Sequence, residues 1–469
     1  MPALNESNVR HLLRRTEFVD RSDRVSELLA LGSIEAAVDN VLAIDTTPPT
    51  VTFAESKPWR KGEELLAFWF DRMARSPRPM QEKMALFWHG HFCSSMEKVN
   101  SGEMMREQID LFRTKGLGSI REVAITMSKQ VAMLRYLDNN RNRKDEPNQN
   151  FARELMELFL LGVGNYTEAD VEAGTAAWSG HTDDWRLDDN AYQWEAKRHD
   201  ASTKQFLGRT INTGSNWQTH GDETITVMLG NGVVPNGAAV TANRGRQTRA
   251  VAAEFLSRKL WADFAGSKLS NGMVNRLRDA LVGADFGARP WVRSMLTSDE
   301  FYSTPVKEGL VRQPADWIVA VLVALGAPAA DAVPFWLQES MGQRLLYPPN
   351  VSGWRTNGYF VNPSTMNGRA RACQAFAWHA SETYWRNDGS GYIQLAKGRL
   401  TQRELTERNP DRTETMSSAQ VVDKALSLMD LRLRPSTRQR VIGHLNASSR
   451  WERDTVLLTI LLTPDLHVA

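Results

Sequence analysis

The stretch from Asn148 to Val171, NQNFARELMELFLLGVGNYTEADV, places two carboxylates, Glu154 and Glu157, inside a run of Leu, Met and Phe. An acid on a buried or half-buried face must find a partner or change its pKa. Either outcome serves acid–base catalysis or metal binding. At helical spacing Asn150, Glu154 and Glu157 stand at i, i+4 and i+7 and share one face. Phe151, Leu155, Leu158 and Phe159 form the adjoining apolar stripe. The plainer alternative is that Arg153 pairs with Glu157 at i+4 while Glu154 caps a loop or meets another Arg.

Three other stretches carry candidate chemistry. FWHGHF holds His89 and His91. In an extended segment two such rings share a face and suit a divalent metal. On a helix they lie about 200° apart, and one His bonded at a helix end is the simpler reading. KRHDASTK brings together His199, Asp200 and Lys204, a proton shuttle or cation site in one reading and a solvated turn in the other. Trp178, Trp185, Trp194 and Trp217 then fall within forty mostly polar residues, and the chain's fifteen Trp are many for its length. A Trp face suits a sugar ring, unless each indole simply plugs its loop onto the helices below. PPNVSGW, with Asn350 and Trp354, would wall the same cleft.

Charge and composition exclude several classes. The 57 basic and 55 acidic residues nearly cancel, so nothing draws the chain toward nucleic acid or an anionic membrane. Two cysteines, Cys93 and Cys373, exclude a disulfide framework. The start MPALNESNVRHLLRRTEFVD shows no signal peptide, and WIVAVLVALGAPAA is too short and too broken to span a bilayer, so a cytoplasmic protein is expected. GxGxxG after a strand, a Walker loop, HExxH and GxSxG are all missing, so nucleotide-dependent and triad-hydrolase chemistry lack support.

The elements that must position these residues are helical. The fold expected is mainly α, a multi-helix assembly with a small β-hairpin insertion. Two short helices flank Gly32, and Thr46 to Pro49 link them to GEELLAFWFDRMARS, which PRP stops. MQEKMALFWHGHFCSS has helical spacing, and Thr167 with Asp170 forms a capping box. Residues 180–226 lose the helical period and read as a loop with one or two hairpins. The Gly/Asn-rich residues 230–245 read as a mobile loop. The units expected are an N-terminal helix pair (1–45) and a main helical domain carrying the motifs (60–305). A helical pair with an irregular Pro/Trp segment (306–390) and a C-terminal helical region (391–469) follow.

FWHGHF, AMLRYLDNNRNRKDEPNQNFARELMELFLLGVGNYTEADV, RHDASTKQFLG and LLYPPNVSGW together resemble the bacterial domain-of-unknown-function 1800 family. The resemblance runs from HLLRRTEF to the LLTPDL ending, and the family's name carries no activity. Its pattern covers His89, His91, Asn148, Asn150, Arg153, Glu154, Glu157, Tyr166, His199, Asp200, Asn350 and Trp354. Where relatives read Thr-Gly-Trp, this chain reads Ser179-Gly180-His181, so the role of that Trp is not carried over. The resemblance also implies a partner, a domain-of-unknown-function 1501 protein with a twin-arginine export signal, and with it co-export.

The leading expectation is an enzyme, a hydrolase or lyase on a polar, glycan substrate. Glu154 and Glu157 would be acid–base or ligand carboxylates, with His89, His91 and His199 as shuttles or divalent-metal ligands. Asn148, Asn150, Arg153, Trp185, Trp194, Asn350 and Trp354 would hold substrate. Glu154 and Glu157 lie one turn apart and cannot face each other across a sugar, so a distant carboxylate such as Asp200 is needed. One rival is a non-catalytic helical scaffold for the exported partner, with its acids consumed by Arg and a large apolar patch exposed. Another is a carbohydrate-binding module, with Trp185 and Trp194 exposed on one shelf.

Overall fold

A computed structural model describes residues 2–184, 191–211, 216–266, 268–329, 335–381, 384–385, 392–393, 417–447 and 453–468. Helix α1 (Glu6–Thr16) starts where the Asn5 side chain accepts from the Asn8 amide. Two short helices, Ser22–Leu29 and Ile34–Val41, flank Gly32 as the spacing requires. Helices α2 (Pro58–Arg75) and α3 (Pro79–His91) each open on a proline, whose missing N–H is harmless in a first turn. Then come α4 (Gly102–Lys115), α5 (Val131–Tyr136) and α6 (Asn150–Glu154). After the turn at Gly162 and Gly164, α7 (Glu168–Ala177) begins at the expected capping box of Thr167 and Asp170.

Two antiparallel hairpins interrupt the helices between 180 and 226. Strand β1 (His181–Asp183) pairs with β2 (Tyr192–Trp194), His181 opposite Trp194. Strand β3 (Lys204–Phe206) pairs with β4 (Arg209–Ile211). Helices α8 (His220–Met228), α9 (Thr248–Phe264), α10 (Pro314–Leu325) and α11 (Pro363–Ser381) follow. The Gly/Asn-rich loop at 230–245 is pinned: Val240 N–H donates to Gly164 O at 2.9 Å, and Asn243 Nδ2 to Asn165 Oδ1 at 2.8 Å. A third, two-residue strand pair, Tyr384–Trp385 with Tyr392–Ile393, has no counterpart in the sequence reading. The described C-terminal residues are helical again, at Ser418–Leu428, Pro435–Ala447 and Arg453–Leu461. No helix among the described residues is long and apolar enough to cross a membrane.

One cluster of buried apolar side chains runs from Val9 to Leu466. Six Trp, at 69, 88, 178, 261, 291 and 317, are fully inside it, which accounts for much of the tryptophan excess. Helix α3 passes through this core with every residue from Met80 to His91 buried except Gly90. A helix buried all round must satisfy its polar side chains inside the protein. Gln81 donates to Asp45 O and Arg113 O, Glu82 takes a bidentate Arg113, and Lys83 meets Asp316 at 2.5 Å.

The loop after Leu345 lies against the end of α3. Gly353 has φ +76°, and a Cβ there would collide with the Gly90 carbonyl oxygen and lie 3.0 Å from Cys93 Sγ. Gly353→Ala is therefore expected to destabilise the fold by on the order of 2 kcal/mol or more, read by urea unfolding. Gly358→Ala is the control: its φ is ordinary and no atom lies within 4 Å of its Cβ position, so its shift should stay within about 0.5 kcal/mol.

Candidate functional site

The motif helix does not keep the α period. From Leu155 to Leu160 it widens into a π-turn, closed by Leu161 N–H on Met156 O at 2.8 Å. Single π-turns of this kind concentrate at functional sites. Two contacts fix its end. The Phe159 carbonyl accepts from His91 Nε2–H at 2.8 Å, and Gly162, at φ +86°, leaves room for the Phe255 ring. Asn150, Glu154 and Glu157 therefore do not stack on a simple α face.

The chain reversal after Gly162 brings Tyr166 back onto Glu157, whose Oε2 accepts the phenol O–H at 2.5 Å. It also brings Glu168 to Arg153, which donates to it through two nitrogens at 2.8 Å. The expected Arg153–Glu157 pair does not form. Glu154 is left half-buried, with no hydrogen bond or ion pair among the described residues. Burial first, then the charge of Glu157, raise its pKa, while Arg153 pulls weakly the other way. Asn148 and Asn150 do local work: Asn148 Oδ1 accepts from the Asn150 amide at 3.0 Å, and Asn150 Nδ2 donates to Leu137 O at 3.3 Å.

Tyr136, at the end of α5, feels the charge of this acid and of a second one on a nearby cleft, although neither Tyr136 nor Glu154 lines that cleft. Burial pushes its phenol up to about 12, and Cys93, Glu154 and Glu97 add to the rise. Glu97 in turn lines an open cleft of about 860 Å³, walled by Arg344, Tyr347, Asn350, Trp354, Arg355, Tyr359 and Glu339. Arg344 lies 3.8 Å from the centre of the Tyr347 ring. Asn350 Oδ1 holds the turn by accepting from the Ser352 amide and hydroxyl. Trp354 packs on the His89 ring at 5.3 Å. Lys259 stands behind this region, over the Phe255 ring and near His91 and Cys93, its amine lowered by burial.

His89 and His91 sit on a helix, so their rings splay. His89 Nε2 accepts the Leu346 amide at 3.0 Å, and His91 Nε2 is engaged by Phe159. Burial lowers both to about 3, so both are neutral imidazoles. Their Nε2 lone pair and proton are committed to different partners, and no group of three potential ligands forms among the described residues. The pair does not fit a shared divalent ion. Each ring instead pins a distant segment to α3.

His199 and Asp200 belong to a second polar centre. His199 Nδ1 lies 2.8 Å from Ser179 O; a carbonyl only accepts, so Nδ1 carries the proton. His199 Nε2 then accepts from His220 Nδ1–H at 2.8 Å. His181 Nδ1 bonds the Tyr192 hydroxyl at 2.9 Å, and Trp194 packs between the His181 and His199 rings rather than on an open shelf. Burial lowers His181 to about 3 and His220 to about 4, and lowers His199 as well. Burial pushes Asp200 up, but the Ser202 bonds, Lys204 and His199 outweigh it, and its pKa is lowered. Trp185 lies outside the described residues. Sequence reasoning missed Tyr136, Glu97, Lys259 and His220; only Tyr136 lay inside a quoted motif.

The family model described as "Protein of unknown function (DUF1800)" matches residues 11–468. The chain belongs to this family. No curated protein and no solved structure matches it. Within the family's motif, the geometry singles out Glu154 as the half-buried acid without a partner among the described residues.

That state has a pH signature. The folded pKa of Glu154 is raised above the ordinary carboxyl value of 4.5, so its ionisation opposes folding at neutral pH. The penalty is absent below pH 4.5, grows as pH rises above that value, and is complete once pH passes the higher folded value. Glu154→Gln is therefore expected to raise the melting temperature at pH 7–8 and to lose that advantage below pH 4.5. A loss of stability at pH 7 would mark Glu154 as an internal strut.

Proposed function

We propose that this family member is an acid–base enzyme, a hydrolase or lyase acting on a polar glycan, with Glu154 as its proton-transfer group. The observation carrying this reading is the half-buried, unpaired Glu154 carboxyl, its pKa raised by burial and by Glu157. A carboxyl in that state holds its proton closer to neutral pH and can donate it to a leaving oxygen. Tyr166 fixes the Glu157 carboxylate that Glu154 feels. Glu97, on the cleft, supplies the distant second carboxylate that a glycosidic bond requires. The half-buried Tyr136 phenol, its pKa pushed up to about 12, stays protonated within the field of both acids and can steady the proton in transit.

The cleft suggests the substrate class. Trp354, Tyr347 and Tyr359 offer flat aromatic faces, while Arg344 and Arg355 are balanced by Glu97 and Glu339. Mixed donors and acceptors with no net charge suit the hydroxyls of a neutral sugar.

The test incubates the full chain with a panel of neutral oligosaccharides and reads cleavage by mass spectrometry. Wild type is expected to cleave a member of the panel, and Glu154→Gln to slow that reaction by about 10²–10⁴-fold with the fold intact. A Glu154→Gln variant that turns over at the wild-type rate would sink the assignment.

A further inference from the structure

A separate pocket of about 420 Å³ opens where α1 meets the helix Thr304–Gly309, α10 and residues 429–434. It shares no lining residue with the cleft beside Glu97. Its walls divide by chemistry. Ala320, Val323 and Ala324 of α10, with Met429, Leu431 and Leu466, make one side apolar. The rest of the wall is charged, with seven Lys and Arg, Lys307 and Arg312 among them, against the four carboxylates Asp20, Glu308, Asp430 and Asp465.

These cations are not equally matched. Arg14 has Asp20 at 3.1 Å. Lys307 donates to Ser7 Oγ at 3.0 Å and Asn8 Oδ1 at 2.6 Å, both neutral. Arg312 is 5% exposed and donates to the backbone carbonyls of Phe18 and Val468. Neither Lys307 nor Arg312 has a carboxylate within ion-pair distance among the described residues. Two more buried guanidiniums stand behind, Arg15 donating to Val306 O and Arg369 to Arg312 O. Asp316 acts on all three buried Arg and Asp20 on Arg312, but Lys83 already holds Asp316 at 2.5 Å, and Arg10 and Arg14 already hold Asp20 at 3.3 and 3.1 Å. Burial, then Arg14, lowers Arg312 to about 10. Buried cations without counter-charge are unfavourable, and a drug-sized pocket beside them is where an anion would relieve them.

We infer that this pocket binds a small organic anion, a carboxylate or phosphate head on an apolar body. The head meets Lys307 and Arg312, and the body lies along the α10 wall. The inference is independent of the acid–base reading.

Titration calorimetry of the full chain tests it with sodium octanoate, octyl phosphate, inorganic phosphate and octanol. Saturable one-to-one binding of octanoate or octyl phosphate is expected, and the tighter of the two identifies the head. Inorganic phosphate and octanol should bind at least about tenfold more weakly. Arg312 anchors two backbone segments, so its replacement risks the fold. Lys307→Met is the informative variant, expected to weaken the tighter ligand about tenfold with an unchanged melting temperature. Val323→Trp should abolish binding by filling the apolar side. Equal binding of octanol, equal binding of inorganic phosphate, an unaffected Lys307→Met variant, or no saturable binding of either amphiphile would each overturn the inference.

Discussion

The structure depends on a helix that cannot reach water. Helix α3 is buried on every face, yet it carries Gln81, Glu82, Lys83, His89 and His91. Each must be satisfied from within, because an unpaired buried polar group costs about 1–3 kcal/mol and a charge more. The partners come from far along the chain: Asp45 and Arg113 for Gln81, Arg113 for Glu82, Asp316 for Lys83, Leu346 for His89 and Phe159 for His91. Satisfying one helix therefore fixes where several distant segments sit. The two histidines that look like metal ligands in sequence are members of this set of clamps.

Two of those clamps build the candidate site. The His91 bond satisfies the Phe159 carbonyl, one of those the last turn of the motif helix leaves without an intrahelical partner. The His89 bond holds Leu346, and the loop that follows carries Asn350 and Trp354 to the cleft wall. Gly353 lets that loop approach Gly90 and Cys93 closely. The acid and the cleft are thus referenced to one rigid element, which is the support a reacting geometry needs.

Local signals in the sequence were readable where local physics decides. Thr167 and Asp170 announce a capping box, and the loss of helical period after Gly180 announces the hairpins at 181–194 and 204–211. Acids within an apolar run drew attention to Glu154, which the fold leaves half-buried and with its pKa raised. What stayed hidden was set by distant contacts. Arg153 finds Glu168 rather than Glu157 because the turn at Gly162 and Gly164 brings Glu168 back alongside it. The end of the π-turn is bonded by His91, 68 residues away, and the His199–His220 bond joins residues 21 apart. No spacing rule reaches those pairs, and none joins Glu97 to Tyr136.

The Arg153–Glu168 pair shows how an unpaired acid persists next to an arginine. With side chains 33% and 71% exposed, the pair adds little stability by itself. Its effect is positional: both Arg153 nitrogens that donate at 2.8 Å are turned to Glu168, away from the neighbouring acid. On the other side Tyr166 claims Glu157. Every group able to neutralise Glu154 from its own helix is thereby committed elsewhere. A fold that matches the buried charges Glu82 and Lys83 with partners leaves Glu154 open, and local departures from such a rule are where function concentrates.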